Sequence, residues 1–364
     1  MRRHDRRSTP SWIRRFLIWP AEAAALWLWW ATVRVLPRRT ALALGAALGE
    51  TIGRLSVIRS ARMEQNLAIA FPDLASAARR RMVRRIWGNF SRVLADYPHL
   101  RSIWRRYDKV IEVIGEQHLE AARRSGAFLL VGAHFGHWEL PAVYASRTGI
   151  KGTAIYSPDP NPLVDALIRR CRLRAGKDGA LVAKQSAAIR QVITALGRRE
   201  AVFLLADHRV EDGSLIPFFG RPAMATLTPA RLARRFGCPI LLARAEQLPR
   251  GRYRIIYCPP IRPNMALPPQ QDVFELTAKL LQSFESWIRT TPEQWNYLKR
   301  RWPKHDGTTG RREIKSKLGL GYAPKPRSSS SSPVLKNFCE PSEACAKKEW
   351  QASSGRVWQR SHCP

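Results

Sequence analysis

The residues with the most evident chemistry stand in the run AFLLVGAHFGHWEL, Ala127 to Leu140, where His134 is followed five residues on by Glu139. Five is the wrong step for two side chains on one helix face, which needs three or four. The two meet only if His134 ends a strand, Gly136 makes the turn, and Glu139 falls in the first turn of the next helix, whose amino terminus favours a carboxylate. A carboxylate on one imidazole nitrogen fixes the tautomer and leaves the other nitrogen to take a proton from a hydroxyl. The motif contains no Ser or Cys nucleophile, so the chemistry it points to is acyl transfer directly onto an alcohol. His137 lies between the pair, but His134, His137 and Glu139 match no common zinc arrangement. No metal is expected, and His137 is read as a surface or packing residue.

Positioning such a pair requires a strand, a turn and a helix, and the surrounding sequence supplies them. Short apolar runs at Ala127–Ala133, Ala201–Ala206 and Pro239–Ala243 alternate with helical stretches at Pro162–Arg174, Ser186–Gly197 and Thr228–Phe236. This alternation predicts an α/β fold with a mixed, largely parallel sheet flanked by helices. In such sheets ligands bind beyond the carboxyl ends of the strands. Two of the three runs end there in groups able to do chemistry, His134 after the first and Asp207-His208 after the second. Upstream, Met82, Ile86, Phe90, Val93 and Leu94 recur at helical intervals, which predicts an amphipathic helix from about Ser76, with Pro72 ending the helix before it.

The chain of 364 residues carries 62 Lys plus Arg against 28 Asp plus Glu, a formal net charge of +34. Arg is spread over the whole length, so the basic field belongs to the folded part and calls for a polyanionic partner. An Arg-rich composition with solvated helix faces accounts for part of the same excess. The six Cys include no C-x-x-C pair, which argues against a zinc ribbon or a disulfide framework and fits a reducing compartment. After a basic start, Phe16 to Val33 is almost wholly apolar, with Trp27, Trp29 and Trp30 at its centre. Its length is at the lower limit for a bilayer span. Glu22, Pro20 and the Arg residues on both flanks fit a helix lying in the interface equally well, and a cleaved signal peptide is the weaker third reading. Membrane attachment is expected, spanning or flat.

Taken together, these stretches resemble the bacterial lipid A late acyltransferases, the lauroyl or myristoyl acyltransferases of lipid A biosynthesis, within the wider glycerolipid-type acyltransferases. The resemblance covers roughly Trp12 to Lys304. It rests on RMEQNLAIAFPDL, GAHFGHWEL, YSPDPNPLVDALIRRCRLRAG, AVFLLADHRVEDGSLIPFFGRPA, LTPARLARRFGCPI and EQWNYLKRRWPK, in the family's order. It implies that His134 is the base acting on a hydroxyl of a lipid A precursor, with Glu139 its partner. The acyl donor would be a thioester on acyl carrier protein, with no other cofactor, and the enzyme would serve lipopolysaccharide assembly at the cytoplasmic face of the inner membrane. Acyl carrier protein, an anionic lipid acceptor and the inner membrane surface are the expected partners, and nucleic acid is not. Arg170 and Arg172 are candidates for substrate phosphates or an oxyanion, a solvated helix face explaining each as well. Asp207, at the second strand end, joins them as a substrate-binding candidate, and Phe218, Phe219 and Gly220 are read as a turn walling an acyl channel or as core. The chain departs from the family at Ser157 and Gln247, where Arg is usual, and at Lys299-Arg300-Arg301, where His-Arg-Arg is usual, so another glycolipid or phospholipid acceptor stays open.

Three regions are expected: a basic start with a membrane-associating helix (1–39), an acyltransferase domain (40–304) and a tail (305–364). The tail, with Ser328 to Ser332 in a row and frequent Pro and Gly, reads as disordered. From a different class, the charge alone would suit a non-catalytic membrane or nucleic-acid-binding protein. No nucleic-acid module is recognised, and a scaffold leaves the His134 and Glu139 placement unexplained.

Overall fold

The computed structural model describes residues 11–303 except 177–178, 185–187, 211–212 and 297; the expected tail and the basic residues before Ser11 lie outside this range. A helical run opens the described chain: α1 (Ser11–Ile13), a wider turn over Arg14–Ile18, and α2 (Trp19–Val35). Arg14–Val35 is the one helix among the described residues long and apolar enough to cross a membrane. Three helices follow, α3 (Arg38–Leu55), α4 (Val57–Ala70) and α5 (Ser76–Asp96). The last begins where the apolar periodicity placed it. After the short helices α6 (Leu100–Arg105) and α7 (Tyr107–Val110), strands and helices alternate: β1 (Ile111–Ile114), α8 (Glu116–Arg124), β2 (Phe128–Gly132), α9 (Leu140–Arg147), β3 (Gly152–Tyr156) and α10 (Pro162–Ala175). Next come β4 (Gly179–Ala183), α11 (Ala188–Gly197), β5 (Ala201–Leu205), β6 (Ser214–Phe218), β7 (Arg221–Ala225), α12 (Thr228–Phe236), β8 (Ile240–Leu248), β9 (Arg252–Tyr257) and α13 (Pro269–Thr290).

Seven strands form one sheet in the order β1-β9-β8-β2-β5-β3-β4. Only β8 and β9, joined by a tight connection, pair antiparallel; the other neighbours are parallel. The sheet is therefore mixed and mostly parallel, as the alternation of runs predicts. Its centre is β2, whose Phe128, Leu129, Leu130 and Val131 are all buried. A strand covered on both faces has no polar side to alternate with, which is why its sequence reads as an unbroken apolar run. The core on these strands extends to Trp30 and Val33 of α2 and to Val93 and Tyr97 at the end of α5.

The amino-terminal helix is tied to this body by polar groups as well. The Trp30 indole donates to Leu94 O at 3.0 Å, and Asn161 Nδ2 donates to both Trp19 O and Glu22 Oε2 at 2.9 Å. Asn161 also caps α10, its Oδ1 accepting from Leu163 N and Val164 N. Glu22, out of place in an apolar segment, is thus explained by the residue that starts α10.

β6 and β7 form a separate hairpin. Phe218 and Phe219 at its turn pack stacked and edge-on against Trp295 and Trp302 and do not line the cavity at His134, so their role is core packing. Arg301 is wholly buried beneath them, its guanidinium 4.8 Å from the Phe218 ring and its Nη1 donating to Met224 O.

Candidate active site

Parallel pairing of β2 and β5 puts Gly132 opposite Leu205. Two residues further along each strand stand His134 and Asp207, brought side by side by that register. The contact is double: His134 Nδ1 lies 2.7 Å from Asp207 Oδ1, and the His134 backbone N–H donates to Oδ2 at 3.0 Å. An ionised carboxylate only accepts, so Nδ1 carries the proton and Nε2 is the free, basic nitrogen. Burial works against the Asp207 charge, but attraction and hydrogen bonds from His134, with His208 close by, hold its pKa down at about 2. Asp207 was expected among the substrate-binding residues; wholly enclosed, it faces His134.

Glu139, expected to orient the imidazole, has other partners. It sits at the residue before α9 and accepts from Arg172 Nε at 3.0 and 3.1 Å, Arg172 Nη2 at 2.6 Å, Tyr97 Oη at 2.7 Å and the Trp138 indole at 3.1 Å. The carboxylate in contact with His134 is therefore that of Asp207, and Glu139 forms a second charged pair in the same cavity. The physical reason is the turn: Gly136 at φ +54 swings the chain so that Glu139 faces α10 and α5. Burial opposes the Glu139 charge too, yet the Arg172 guanidinium keeps it below the usual carboxylate range. The same pairing raises Arg172 against the effect of its own burial. Its ring neighbours are Tyr97 and Tyr156, at 5.9 and 5.5 Å, and among the described residues its Nη1 makes no hydrogen bond. Arg170, two residues away, is exposed and not a lining residue.

The turn from His134 to His137 is held from behind by the segment after α13 and by β8. Gly136 N donates to Gln294 O at 2.9 Å, Asn296 N to His134 O at 2.7 Å, Asn296 Nδ2 to Gly136 O at 2.9 Å and His137 N to Ala245 O at 2.9 Å. A Cβ on residue 136 would run into the Ala245 carbonyl, so glycine is required there by space as well as by φ. His137 is fully buried, 3.8 Å from Asp96 and edge-on to Tyr253, and burial lowers its pKa. Of the two roles expected for it, surface or packing, its burial selects packing. Asp96 in turn pairs with Arg38 and accepts from Tyr253 Oη.

The cavity into which these groups face has a volume of about 250 Å³. Its lining includes the polar side chains of His134, Glu139, Arg172, Lys184, His208 and Arg244 and the apolar ones of Leu130, Leu181, Phe203 and Leu205. His208 stands edge-on to His134, ring centres 4.3 Å apart. Burial, then the neighbouring His134, lowers its pKa to about 4, so it is neutral at and above the ordinary histidine range. Sequence reasoning missed Tyr97, Lys184 and Arg244. Only Lys184, directly after β4, had a strand-end signal of the kind that marked His134 and Asp207.

An imidazole held in one tautomer by a buried carboxylate, facing a cavity lined by both cationic and apolar side chains, is an arrangement able to serve general-base transfer onto a hydroxyl of a lipid-like substrate. The chain is shown to belong to a particular family: the profile of the bacterial lipid A biosynthesis acyltransferases matches residues 12–304. It is 30% identical over 292 residues, 76% of this chain and 91% of that protein, to a lipid A biosynthesis lauroyltransferase of Escherichia coli K12. A lipid A biosynthesis acyltransferase of Haemophilus influenzae is 28% identical over 218 residues, 57% of this chain and 68% of that protein. A phosphatidylinositol mannoside acyltransferase of Mycobacterium tuberculosis is 25% identical over 296 residues, 79% of this chain and 90% of that protein. The protein is an acyltransferase acting on lipid A or a related glycolipid.

Proposed function

We propose that this protein is a membrane-associated O-acyltransferase that moves a fatty acyl chain from acyl carrier protein to a hydroxyl of a lipid A precursor, at the cytoplasmic face of a bacterial inner membrane. The observation that carries the reading is the His134–Asp207 contact, with His134 lining a cavity whose other walls include many apolar side chains. His134 Nε2 takes the proton of the acceptor hydroxyl as its oxygen attacks the thioester carbonyl carbon. The carbonyl π electrons move onto oxygen, and the tetrahedral adduct collapses by breaking the C–S bond. The departing thiolate recovers the proton from the imidazolium, and the product is an ester. Asp207 steadies that imidazolium as a positioning residue. Arg172, fixed by Glu139 and Tyr97, keeps Nη1 available to the oxyanion or to a substrate phosphate.

The +34 charge supports acyl carrier protein, phosphorylated lipid and membrane as partners, all of them anionic. A second reading, acylation of a mannosylated phospholipid, is favoured by the Mycobacterium tuberculosis relative and by Ser157 and Gln247. Ser157 lines the cavity, and Gln247 is occupied with Asn89 O. Incubating the protein with acyl-acyl carrier protein and either tetra-acylated lipid A precursor or phosphatidylinositol mannoside separates the two. A mass gain of one acyl chain on the lipid A precursor is expected. Gain on the mannoside alone selects the second reading, and gain on neither refutes both.

A further inference from the structure

Helix α3 is built inside out. The residues it buries against α5 are small: Ala41, Gly45, Ala46, Gly49 and Gly53, with Leu42 the only large one. The approach is close, since a Cβ on residue 45 would stand 2.8 Å from Ala95 Cβ. Its large apolar residues face outward, Leu44, Leu48 and Ile52 at 41–45% exposure and Leu55 at 79%. Steps of four, four and three put these on one stripe, about 17 Å long at 1.5 Å per residue. At Ser56 the chain bends by 95° into α4, and the first two residues beyond the bend, Val57 and Ile58, are 71% and 59% exposed.

A helix folded only for water would turn its leucines inward and its glycines out. The reverse order means that the outer face has a partner. Arg54, Arg59 and Arg62 surround the corner, all exposed and without ion pairs among the described residues. A second copy meeting this face about a two-fold axis would set the same arginines against one another. Anionic lipid headgroups complement them, and the hydrocarbon beneath accepts the leucines. A 17 Å stripe ending in a right-angled corner is too short for a hydrocarbon core of about 30 Å, so it dips into one leaflet.

We propose that α3 and the start of α4 form a membrane-inserting wedge, apart from the amino-terminal helix, that seats the protein on an anionic bilayer. The wedge is tied to the site. Asn66 of α4 donates to Lys299 O at 2.7 Å and accepts from Arg301 N at 3.0 Å, in the segment that continues from Gln294 and Asn296 behind the His134 turn. The inference deepens the membrane half of the proposed function and rests on it only there.

The test labels full-length Leu55→Cys and, separately, Ile58→Cys with an environment-sensitive fluorophore, with the exposed Glu120→Cys on α8 as a control away from the wedge and the unsubstituted protein as background. With phosphatidylglycerol-containing vesicles the labels at 55 and 58 are expected to shift to the blue and escape aqueous iodide, and the label at 120 to do neither. Labels at 55 and 58 that stay quenchable while the protein floats with the vesicles overturn the wedge. A blue shift that grows with protein concentration in the absence of lipid overturns it in favour of a second copy, and equal insertion into neutral phosphatidylcholine overturns the anionic occupant. A Leu55→Glu/Ile58→Glu variant is expected to float at least tenfold less well while acylating detergent-dispersed acceptor within threefold of the parent. Transfer in detergent without insertion sinks the wedge and leaves the acyltransferase reading intact; insertion without transfer to any acceptor does the opposite.

Discussion

Replacing Asp207 by Asn separates the two carboxylates that the site offers to His134. Asn keeps the shape and one acceptor but brings an NH₂ group into a position where both atoms now accept, from Nδ1 and from the His134 backbone N–H. If the amide oxygen stays on the backbone N–H, the NH₂ faces Nδ1 and forces the proton onto Nε2, the nitrogen that must be bare. If it flips, the backbone N–H faces a donor. Either way the charge that steadies the imidazolium is gone. General-base assistance of this kind contributes about 10²- to 10⁴-fold, roughly 3–5 kcal/mol of barrier, and we expect Asp207→Asn to lose that much kcat with KM for the acceptor little changed. Glu139→Gln should behave differently, because it strips a counter-charge from Arg172, only 19% exposed, and costs about 3 kcal/mol of folding stability with a smaller rate loss. The assay is initial-rate acyl transfer, backed by 15N NMR of the His134 ring to read the tautomer. A kcat within threefold of the parent for Asp207→Asn, with Nε2 still bare, would refute the reasoning and return the orienting role to Glu139.

Arg172→Lys keeps a charge but loses the forked contact with Glu139 and the donor to Tyr97; we expect a fall of about 10-fold or more in kcat/KM and a lower Tm by calorimetry. Stability should depend on pH through two groups. His208, lowered to about 4, gains protons in the unfolded chain first, so stability rises as pH increases from about 4 to the ordinary histidine range, and His208→Asn should flatten that rise in urea titrations. Asp207, held at about 2, stabilises above the ordinary Asp pKa, and its contribution is lost as pH falls toward about 2, an effect that Asp207→Asn removes. Gly136→Ala combines a left-handed φ with a Cβ against the Ala245 carbonyl; a loss of more than about 2 kcal/mol is expected, and a chevron or melt unchanged from the parent would contradict the turn geometry.

The strand ends were legible because a parallel sheet leaves two signals in a sequence, an unbroken apolar run and a polar residue just past it. Both His134 and Asp207 carry them. Their pairing was not legible, since it depends on β2 lying beside β5, a register that no local pattern encodes. The five-residue spacing to Glu139 is a property of one segment, so it offered a nearer partner than the true contact 73 residues away. Arg172 was visible as a basic residue on a helix, but only the packing of α10 against α2 and α6, which brings it to Glu139 and Tyr97, distinguishes it from the exposed Arg170. The outward leucines of α3 escaped notice for the same reason: periodicity locates an apolar stripe, and only tertiary structure says which way it faces.

In the proposed mechanism His134 Nε2 deprotonates the acceptor and the acyl group passes to it in one displacement. Single-turnover acyl transfer, followed by mass spectrometry of lipid and intact protein together, tests both halves. The expected result is a lipid heavier by one acyl chain, no acylated protein at any time, and a rate reduced at least 100-fold in His134→Ala. Undiminished transfer by His134→Ala, or an acyl-protein species that forms and decays at the rate of product formation, would contradict it.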